Sequence, residues 1–213
     1  MDRPDSPPAR GPRVFLDYDQ QALDDAYDQA VYAPNRNQVN TRLAVASRLA
    51  RERLGAPRRE AYGPTAIERL DIYPTPARNA PVVVFIHGGA WQSGTAEEHA
   101  YAAETLVRAG AHFVVLDFAA VQDVSGSLFP MVDQVRRAVA WVHRNARAFG
   151  GDPGRIHVVG KSSGSHLGGC VAITDWQAEL GLPADTVKGY VLQSGMYDLR
   201  GPRLSKRGAY VKF

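Results

Sequence analysis

The 213-residue sequence has a single cysteine, Cys170, so the chain cannot form a disulfide bond within itself. It also lacks any apolar run near the roughly 18 to 20 residues that a membrane-spanning helix needs. The longest run, Pro81 to Ile86, has the length of a strand. The first residues, MDRPDSPPARGPR, contain no apolar segment of the kind that marks a signal peptide. These absences favour a reducing compartment, and the sequence predicts a cytoplasmic protein.

The chain has little net charge, with 25 basic and 22 acidic residues. Its 45% hydrophobic content is that of a globular protein, and its 20 glycines and 14 prolines follow no repeat, which excludes collagen-like sequences. Basic residues cluster within residues 48–59 and 200–212. No aromatic residues alternate with these clusters, so we interpret them as solvated surfaces and expect no nucleic-acid or membrane partner.

Local composition divides the chain into a tail, an arm and a core. Residues 1–14 are rich in Pro, Arg and Asp, and are predicted to be a disordered tail. Residues 15–213 are predicted to form a single domain. Its first part, residues 15–59, is expected to be an N-terminal helical arm, because residues 38–54 place apolar side chains at helical spacing. The remainder, residues 60–213, is expected to be the sheet core.

In the core, strand-like and helix-like patterns alternate. The strand-like segments are residues 69–73, 81–86, 111–118, 155–159 and 188–193. The segments with helical spacing are residues 97–109, 131–149 and 166–173. Continuous β-branched runs are typical of strands buried on both faces of a parallel sheet. The alternation therefore predicts an α/β fold with a doubly wound, mostly parallel sheet.

The first candidate site motif is Gly160-Lys161-Ser162-Ser163-Gly164, which follows a predicted strand and precedes a predicted helix. This G-x-S-x-G pattern in a strand–turn–helix context is typical of a nucleophile elbow, where a sharp turn exposes the serine hydroxyl. The hydroxyl then lies at the positive end of the following helix, which favours developing negative charge. Ser162 is the predicted nucleophile, while a tight turn with an incidental serine is the alternative interpretation.

Gly160-Lys161-Ser162 also resembles the end of a phosphate-binding P-loop. That motif requires a glycine five residues before its second glycine, and position 155 is an arginine. The nearest glycine, Gly154, is one position away, and the intervening residues form a predicted strand. The spacing therefore argues against a phosphate-binding loop.

The second motif is His87-Gly88-Gly89-Ala90-Trp91, directly after the predicted strand that ends at Ile86. A glycine-rich turn at a strand end offers backbone N–H groups to a tetrahedral oxyanion. Gly89 and Ala90 are the predicted donors, with Gly88 shaping the turn and Ser163 adding the N–H that follows the nucleophile. His87 is interpreted as a structural hydrogen-bonding residue. Trp91 is either core packing or pocket wall.

Together these motifs resemble the α/β-hydrolase superfamily, in the branch of kynurenine formamidases and hormone-sensitive-lipase-like carboxylesterases. The segments HGGAW and GKSSGSHL carry the resemblance, and SGMYDL at 194–199, TDW at 174–176 and Tyr18 with Tyr27 of the arm add to it. The resemblance spans residues 15–213. It implies a serine hydrolase with Ser162 as nucleophile, an oxyanion hole at Gly88, Gly89, Ala90 and Ser163, and motif or pocket positions at His87, Trp91, Gly160 and Gly164.

The same family orders its triad as serine, acid and histidine. The only histidine after Ser162 is His166. A side chain four residues further along a helix is expected to point away from the Ser162 hydroxyl, so we interpret His166 as a structural residue. Among the acidic residues after Ser162, Asp198 fits the role of the triad acid better than the others. By this comparison the last two strands, the acid and the base are missing. We therefore expect a C-terminally truncated hydrolase, with a naturally short, non-hydrolysing relative as the alternative.

The sequence thus predicts a serine hydrolase that cleaves a carboxylic ester or an aryl formamide through an acyl-enzyme on Ser162. The expected partner is a small-molecule substrate, and a homodimer is left open. No metal or organic cofactor is implied, because no His, Cys or Asp cluster has metal-ligand spacing. The alternative from another class is a catalytically incomplete fragment or a non-catalytic ligand-binding module of the same fold.

Overall fold

The computed structural model describes residues 11–207, which form two compact units. In the described range, the larger unit is Asn40–Tyr197, and the smaller unit combines the residues up to Val39 with those from Asp198 onward. The candidate site motifs all lie in the larger unit. The organisation predicted from the sequence, an arm and a core within one domain, stays a prediction.

Eight strands are present in the described part of the chain. They are β1 (Arg13–Phe15), β2 (Tyr18–Asp19), β3 (Arg58–Ala61), β4 (Arg69–Tyr73), β5 (Ala80–Ile86), β6 (His112–Leu116), β7 (Gly151–Lys161) and β8 (Gly189–Gln193). The larger unit holds a six-stranded sheet of order β3-β4-β6-β5-β7-β8. Strands β6, β5, β7 and β8 run parallel, whereas β3 and β4 are antiparallel additions at one edge. The predicted mostly parallel α/β sheet is confirmed.

The described residues contain eight α-helices, of which those between β5 and β8 connect the parallel strands. They are α1 (Gln20–Ala26), α2 (Gln29–Tyr32), α3 (Arg36–Leu54), α4 (Ala103–Arg108), α5 (Phe129–Asn145), α6 (Ser163–Ala172), α7 (Trp176–Leu180) and α8 (Arg200–Leu204). Short 3-10 helices cover Glu97–Ala102, Val121–Val124 and Ala146–Phe149. The parallel connections place the carboxyl ends of β5 and β7 at the same edge of the sheet, where folds of this class bind ligands.

The core forms where the sequence concentrates β-branched residues. Val82, Val84 and Ile86 of β5 are fully buried, and so is most of β6. Helix α5 buries one apolar side against the sheet, as its spacing predicts. Pro130 lies in its first turn, where a missing N–H has no consequence.

Several elements differ from the pattern-based prediction. The single helix expected over residues 97–109 is instead a 3-10 helix, Glu97–Ala102, followed directly by α4. The 3-10 helix is itself interrupted by non-helical backbone geometry at His99. Strand β7 starts four residues earlier than expected, at Gly151. Strand β3 was not predicted, because its sequence RREA is polar and largely exposed at the sheet edge. The five-residue helix α7 is too short to show a period.

The N-terminal prediction also needs correction. Strand β1 begins at Arg13, inside the range expected to be a disordered tail, and pairs with β2 as a short antiparallel ribbon. The predicted arm is therefore not purely helical. Residues 1–10 lie outside the described residues. Within the smaller unit, Asp24 of α1 accepts hydrogen bonds from the Ser205 hydroxyl (3.0 Å) and the Lys206 N–H (2.6 Å), which tie α1 to the segment after α8.

The first basic cluster is paired with carboxylates. Arg59 bridges the buried Asp71 and Asp117, and Arg51 lies near Asp71 and Glu97. These pairs join α3 and the first strands of the sheet to the segment that precedes α4. The second cluster extends into residues 208–213, which are outside the described residues.

No helix in the described residues is both long enough and apolar enough to cross a membrane.

Candidate active site

The turn between β7 and α6 has the backbone geometry of a nucleophile elbow. Ser162 has φ 54° and ψ −123°, a strained conformation for a residue with a side chain. Its N–H donates to the Gln193 carbonyl (2.8 Å), and its own carbonyl accepts from the Ser165 N–H (2.8 Å). These bonds hold the turn in place from both β8 and α6.

The two glycines of the elbow are required by close packing. A Cβ atom at Gly160 would lie 2.7 Å from the Gly164 carbonyl oxygen, and one at Gly164 would collide with the carbonyl oxygens of Ile86 and His87. Only glycine allows this approach of α6 to the end of β5. The close packing explains why the sequence places glycine two residues before and two residues after Ser162.

The second motif lies directly beside the first. Strand β5 is the parallel neighbour of β7, with Ile86 opposite Gly160, so residues 87–91 leave the sheet next to the elbow. A Cβ atom at Gly88 would lie 2.9 Å from the Lys161 carbonyl oxygen and 3.1 Å from the Ser162 Cβ atom. The tertiary structure therefore brings together two motifs that are about 75 residues apart in the sequence.

The loop after Gly88 turns through left-handed backbone conformations. Gly89 has φ 128°, Ala90 has φ 53° and Trp91 has φ 60°. The Gly89 carbonyl accepts hydrogen bonds from the N–H groups of Gln92 (2.9 Å) and Ser93 (3.1 Å). Within residues 11–207, the backbone N–H groups of Gly89, Ala90 and Ser163 form no hydrogen bond. Unpaired donors of this kind can bind an anionic oxygen.

His87 lies within a buried aromatic stack. Its ring packs against Phe118 (4.3 Å between centroids) and His99 (5.0 Å), and its Nδ1 atom is 2.8 Å from the Gly88 carbonyl oxygen. Burial lowers the pKa of His87 to about 4, so the ring is neutral at pH 7. No sequence pattern indicates His99 or Phe118 as its neighbours, because neither has a spacing that relates it to the motif.

Trp91 is buried, with 1% of its surface exposed, and contacts the helix that carries the nucleophile. Its indole N–H donates to Nδ1 of His166 (3.3 Å), and the two rings meet edge to face. The other ring nitrogen of His166, Nε2, is 4.0 Å from the Cys170 sulfur. The sequence interpretation of His166 as a structural residue did not anticipate this link between the two motifs.

Within residues 11–207, no basic or acidic side chain forms a hydrogen bond with the Ser162 hydroxyl. The chain's six histidines all fall within the described residues, and none forms a hydrogen bond with the Ser162 hydroxyl. Asp198 belongs to the smaller unit, where Arg200 binds both of its carboxylate oxygens. The Arg200 guanidinium lowers the pKa of Asp198 to about 2. The Asp198 carboxylate thus accepts hydrogen bonds from an arginine. The acid of a catalytic triad would instead accept a hydrogen bond from the histidine.

Comparison with solved structures defines the class of protein. The alignment with a crystal structure from a Silicibacter species covers 86% of this chain and 67% of that protein, with a TM-score of 0.69. Because the two sequences are only 22% identical, this match shows the fold alone. A thermophilic esterase from Thermogutta terrifontis matches 55% of this chain and 44% of its own, with a TM-score of 0.51 and 26% identity. The fold and the elbow are those of the α/β-hydrolase superfamily, in its esterase and formamidase branch.

Sequence comparison then gives the family: the chain belongs to the BD-FAE family, whose sequence model matches residues 70–195. The kynurenine formamidase of Salmo salar is 34% identical over 142 residues, which are 65% of this chain and 45% of that protein. The isoprenylcysteine alpha-carbonyl methylesterase ICME of Arabidopsis thaliana is 32% identical over 146 residues, 65% of this chain and 34% of that protein. The resemblance inferred from the two motifs is confirmed. The chain spans less than half the length of these relatives, which are hydrolases of esters or amides.

Proposed function

We propose that Ser162 is the nucleophile of a serine hydrolase that cleaves a carboxylic ester or an aryl formamide through an acyl-enzyme. The observation that carries the proposal is the packing of Gly88 against Ser162. This packing brings the HGGAW loop against the Ser162 side chain. In the described residues the nearby N–H groups of Gly89, Ala90 and Ser163 form no hydrogen bond, which supports the proposal. A nucleophile with adjacent free donors is the arrangement that acyl transfer needs.

The reaction follows from these groups. The Ser162 oxygen attacks the substrate carbonyl, its proton passes to a base, and the three N–H groups bind the resulting oxyanion. Collapse of the tetrahedral intermediate expels the alcohol or the arylamine, which takes up the proton, and leaves Ser162 acylated. Water then releases the carboxylic acid, or formic acid from a formamide, and restores the hydroxyl. The N-terminus of α6 adds a favourable dipole at the developing negative charge.

The proposed substrate class comes from the relatives. Their names describe a formamidase and a methylesterase, and a solved form of the Thermogutta esterase is phosphonylated by sarin. An ester and an aryl formamide both present a polarised carbonyl to a serine. The same geometry at Ser162 is therefore compatible with either, and we propose both as substrates to be tested.

A specific observation favours a second candidate function. None of the six histidines contacts the Ser162 hydroxyl, so the hydrolytic cycle needs a base that these histidines, as placed here, do not supply. A module of this fold that binds carbonyl compounds through its unpaired N–H groups, without hydrolysing them, would require only the residues that are present. Turnover measurements separate the two functions.

The decisive experiment compares the 213-residue chain with its Ser162→Ala variant. Both are incubated with p-nitrophenyl acetate, for turnover, and with a fluorophosphonate probe, which bonds to an activated serine and releases fluoride. For a hydrolase we expect labelling and turnover that Ser162→Ala removes by several orders of magnitude. Ser127→Ala, a serine of the loop before α5, is the matched control and should react like the parent chain. Equal reactivity of the Ser162→Ala variant would refute the nucleophile assignment, and binding without turnover would favour the second function.

A further inference from the structure

His166 links the nucleophile's helix to the HGGAW loop by a hydrogen bond between side chains, with the Trp91 indole as its partner. Its own N–H donates to the Ser162 carbonyl (3.4 Å), so His166 belongs to the first turn after the nucleophile. Its Nδ1 atom accepts the indole N–H of Trp91, two residues after the proposed donor Gly89 and adjacent to Ala90. His166 therefore touches both halves of the candidate site without contacting the Ser162 hydroxyl.

The loop needs such a restraint because its backbone is strained. Ala90 and Trp91 are consecutive non-glycine residues with positive φ, each of which costs about 1 to 2 kcal/mol. Conformations of this kind persist only where the surroundings hold them. The Trp91 carbonyl accepts from the Val121 N–H (2.7 Å), which fixes the backbone after the turn. The indole, buried on the other side, is fixed by His166.

We propose that His166 is a positioning residue: it accepts the indole proton of Trp91 and so holds the N–H groups of Gly89 and Ala90 in register with Ser162. The proposal rests on the proposed function, because it assigns His166 a role in the oxyanion hole of that reaction. It also assigns a protonation state. An indole N–H only donates, so Nδ1 of His166 carries the lone pair and Nε2 carries the proton.

Two features of the surroundings of the His166 ring agree with protonation at Nε2. The proton on Nε2 faces the Cys170 sulfur, a weak acceptor, at 4.0 Å. Burial lowers the pKa of His166 and raises the pKa of the Cys170 thiol, so both groups are uncharged at neutral pH. A doubly protonated ring would present a second N–H to the indole and lose the contact.

The test uses substitutions of similar size that differ in one acceptor atom. His166→Asn keeps an acceptor close to the position of Nδ1, whereas His166→Leu removes it. Trp91→Phe removes the donor and keeps an aromatic ring. His143→Leu, on α5, is the control for loss of a histidine elsewhere. The readouts are the saturating rate constant and the half-saturation concentration for fluorophosphonate labelling of Ser162 in the 213-residue chain.

We expect His166→Leu and Trp91→Phe to lower the saturating rate constant by about 10- to 100-fold, the effect of misplaced site groups, with half-saturation unchanged. His166→Asn should recover most of the rate, and His143→Leu should leave it unchanged. Combining His166→Leu with Trp91→Phe should add little to either alone, since both remove the same bond. Equal rates for the Asn and Leu variants would overturn the positioning role.

A spectroscopic measurement keeps the proposal testable if a variant folds poorly. In the unsubstituted chain, ¹⁵N NMR should report His166 as the Nε2-protonated tautomer, and the Trp91 indole proton should exchange slowly with solvent. An Nδ1-protonated ring would contradict the proposal even if Ser162 reacts. If the unsubstituted chain is labelled no faster than Ser162→Ala, the proposed function fails instead, and the positioning role falls with it. Failure of the two proposals is thus distinguishable.

Discussion

At the scale of the residue, the site depends on glycines, whose missing side chains allow neighbouring segments to pack closely. Gly88 leaves room for the Ser162 side chain, and Gly164 leaves room for the end of β5. Ser162, Ala90 and Trp91 adopt backbone conformations that side chains disfavour. Strain concentrated at one point of a well-packed sheet is common where a protein prepares a reactive group.

The approach of Gly88 to Ser162 gives a direct prediction. In Gly88→Ala the new methyl group would lie within 3.1 Å of the Ser162 Cβ atom, so the two motifs must move apart. We expect slower fluorophosphonate labelling of Ser162, and a loss of about 1 to 3 kcal/mol in the free energy of unfolding, the usual effect of overpacking. Gly154→Ala is the control, because Gly154 is exposed and faces only the flexible Asp152 side chain. Unchanged labelling in Gly88→Ala would mean that the loop is not fixed against the nucleophile.

The buried ring of His87 makes a prediction about pH. Its pKa is about 4 in the folded protein and about 6.5 in an unfolded chain, so the unfolded state binds more protons between these values. Stability must therefore fall as the pH decreases from 6.5 to 4, by up to about 3 kcal/mol from this residue. Urea unfolding at pH 7 and pH 5 should show a smaller loss in His87→Phe than in the parent chain. Identical losses would indicate that His87 is protonated in the folded state.

At the scale of the element, a buried serine of helix α3 joins this helix to the segment before α4 within the larger unit. The Ser47 hydroxyl donates to the Glu98 carbonyl (2.7 Å) and accepts from the Tyr101 N–H (3.1 Å). The segment it holds also carries His99, which stacks on His87 of the candidate site. Helix α3 therefore contacts a segment that reaches the candidate site.

Removing this attachment should loosen that segment. In Ser47→Ala the Tyr101 N–H and the Glu98 carbonyl lose their partner, and an unsatisfied buried polar group costs about 1 to 3 kcal/mol. We expect thermal unfolding to shift downward accordingly. Arg42→Ala, on the exposed side of the same helix, is the control and should have little effect. A Ser47→Ala variant as stable as the Arg42→Ala variant would show that α3 is held by apolar packing alone.

At the scale of the whole molecule, the described sheet has an open edge at β8. Among the described residues β8 pairs only with β7. Its Val191 is 55% exposed, and Tyr197, four residues after the strand, is 59% exposed. An edge of this kind has unpaired backbone groups that can pair with another chain.

We therefore expect the 213-residue chain to associate in a concentration-dependent way. Val191→Lys, which places a charge on the outer face of β8, should shift light scattering and sedimentation toward the monomer. Val31→Lys is the matched control, because Val31 is an exposed apolar residue of the smaller unit (69%, against 55% for Val191), and it should not change the association. A parent chain that stays monomeric at all concentrations would show that the β8 edge is protected.

The sequence alone determined the fold class and both motifs. Strands β4 and β5 and helix α5 were predicted to within a few residues, because burial on both faces and a one-sided helix leave strong periodic signals. Glycine spacing around Ser162 identified the elbow, since only glycine allows that turn. The polar strand β3 and the short helix α7 have no comparable period, so patterns could not find them.

Only the tertiary structure decided which residues meet. Parallel pairing of β5 with β7 places Gly88 against Ser162, and the turn of α6 places His166 against Trp91. It also encloses His87 between His99 and Phe118, and this burial lowers the pKa of His87 to about 4. These contacts join residues that are distant in sequence, and no local pattern specifies them. The physical reason is that periodicity records which face of an element is buried, whereas the packing of one element on another determines its neighbours.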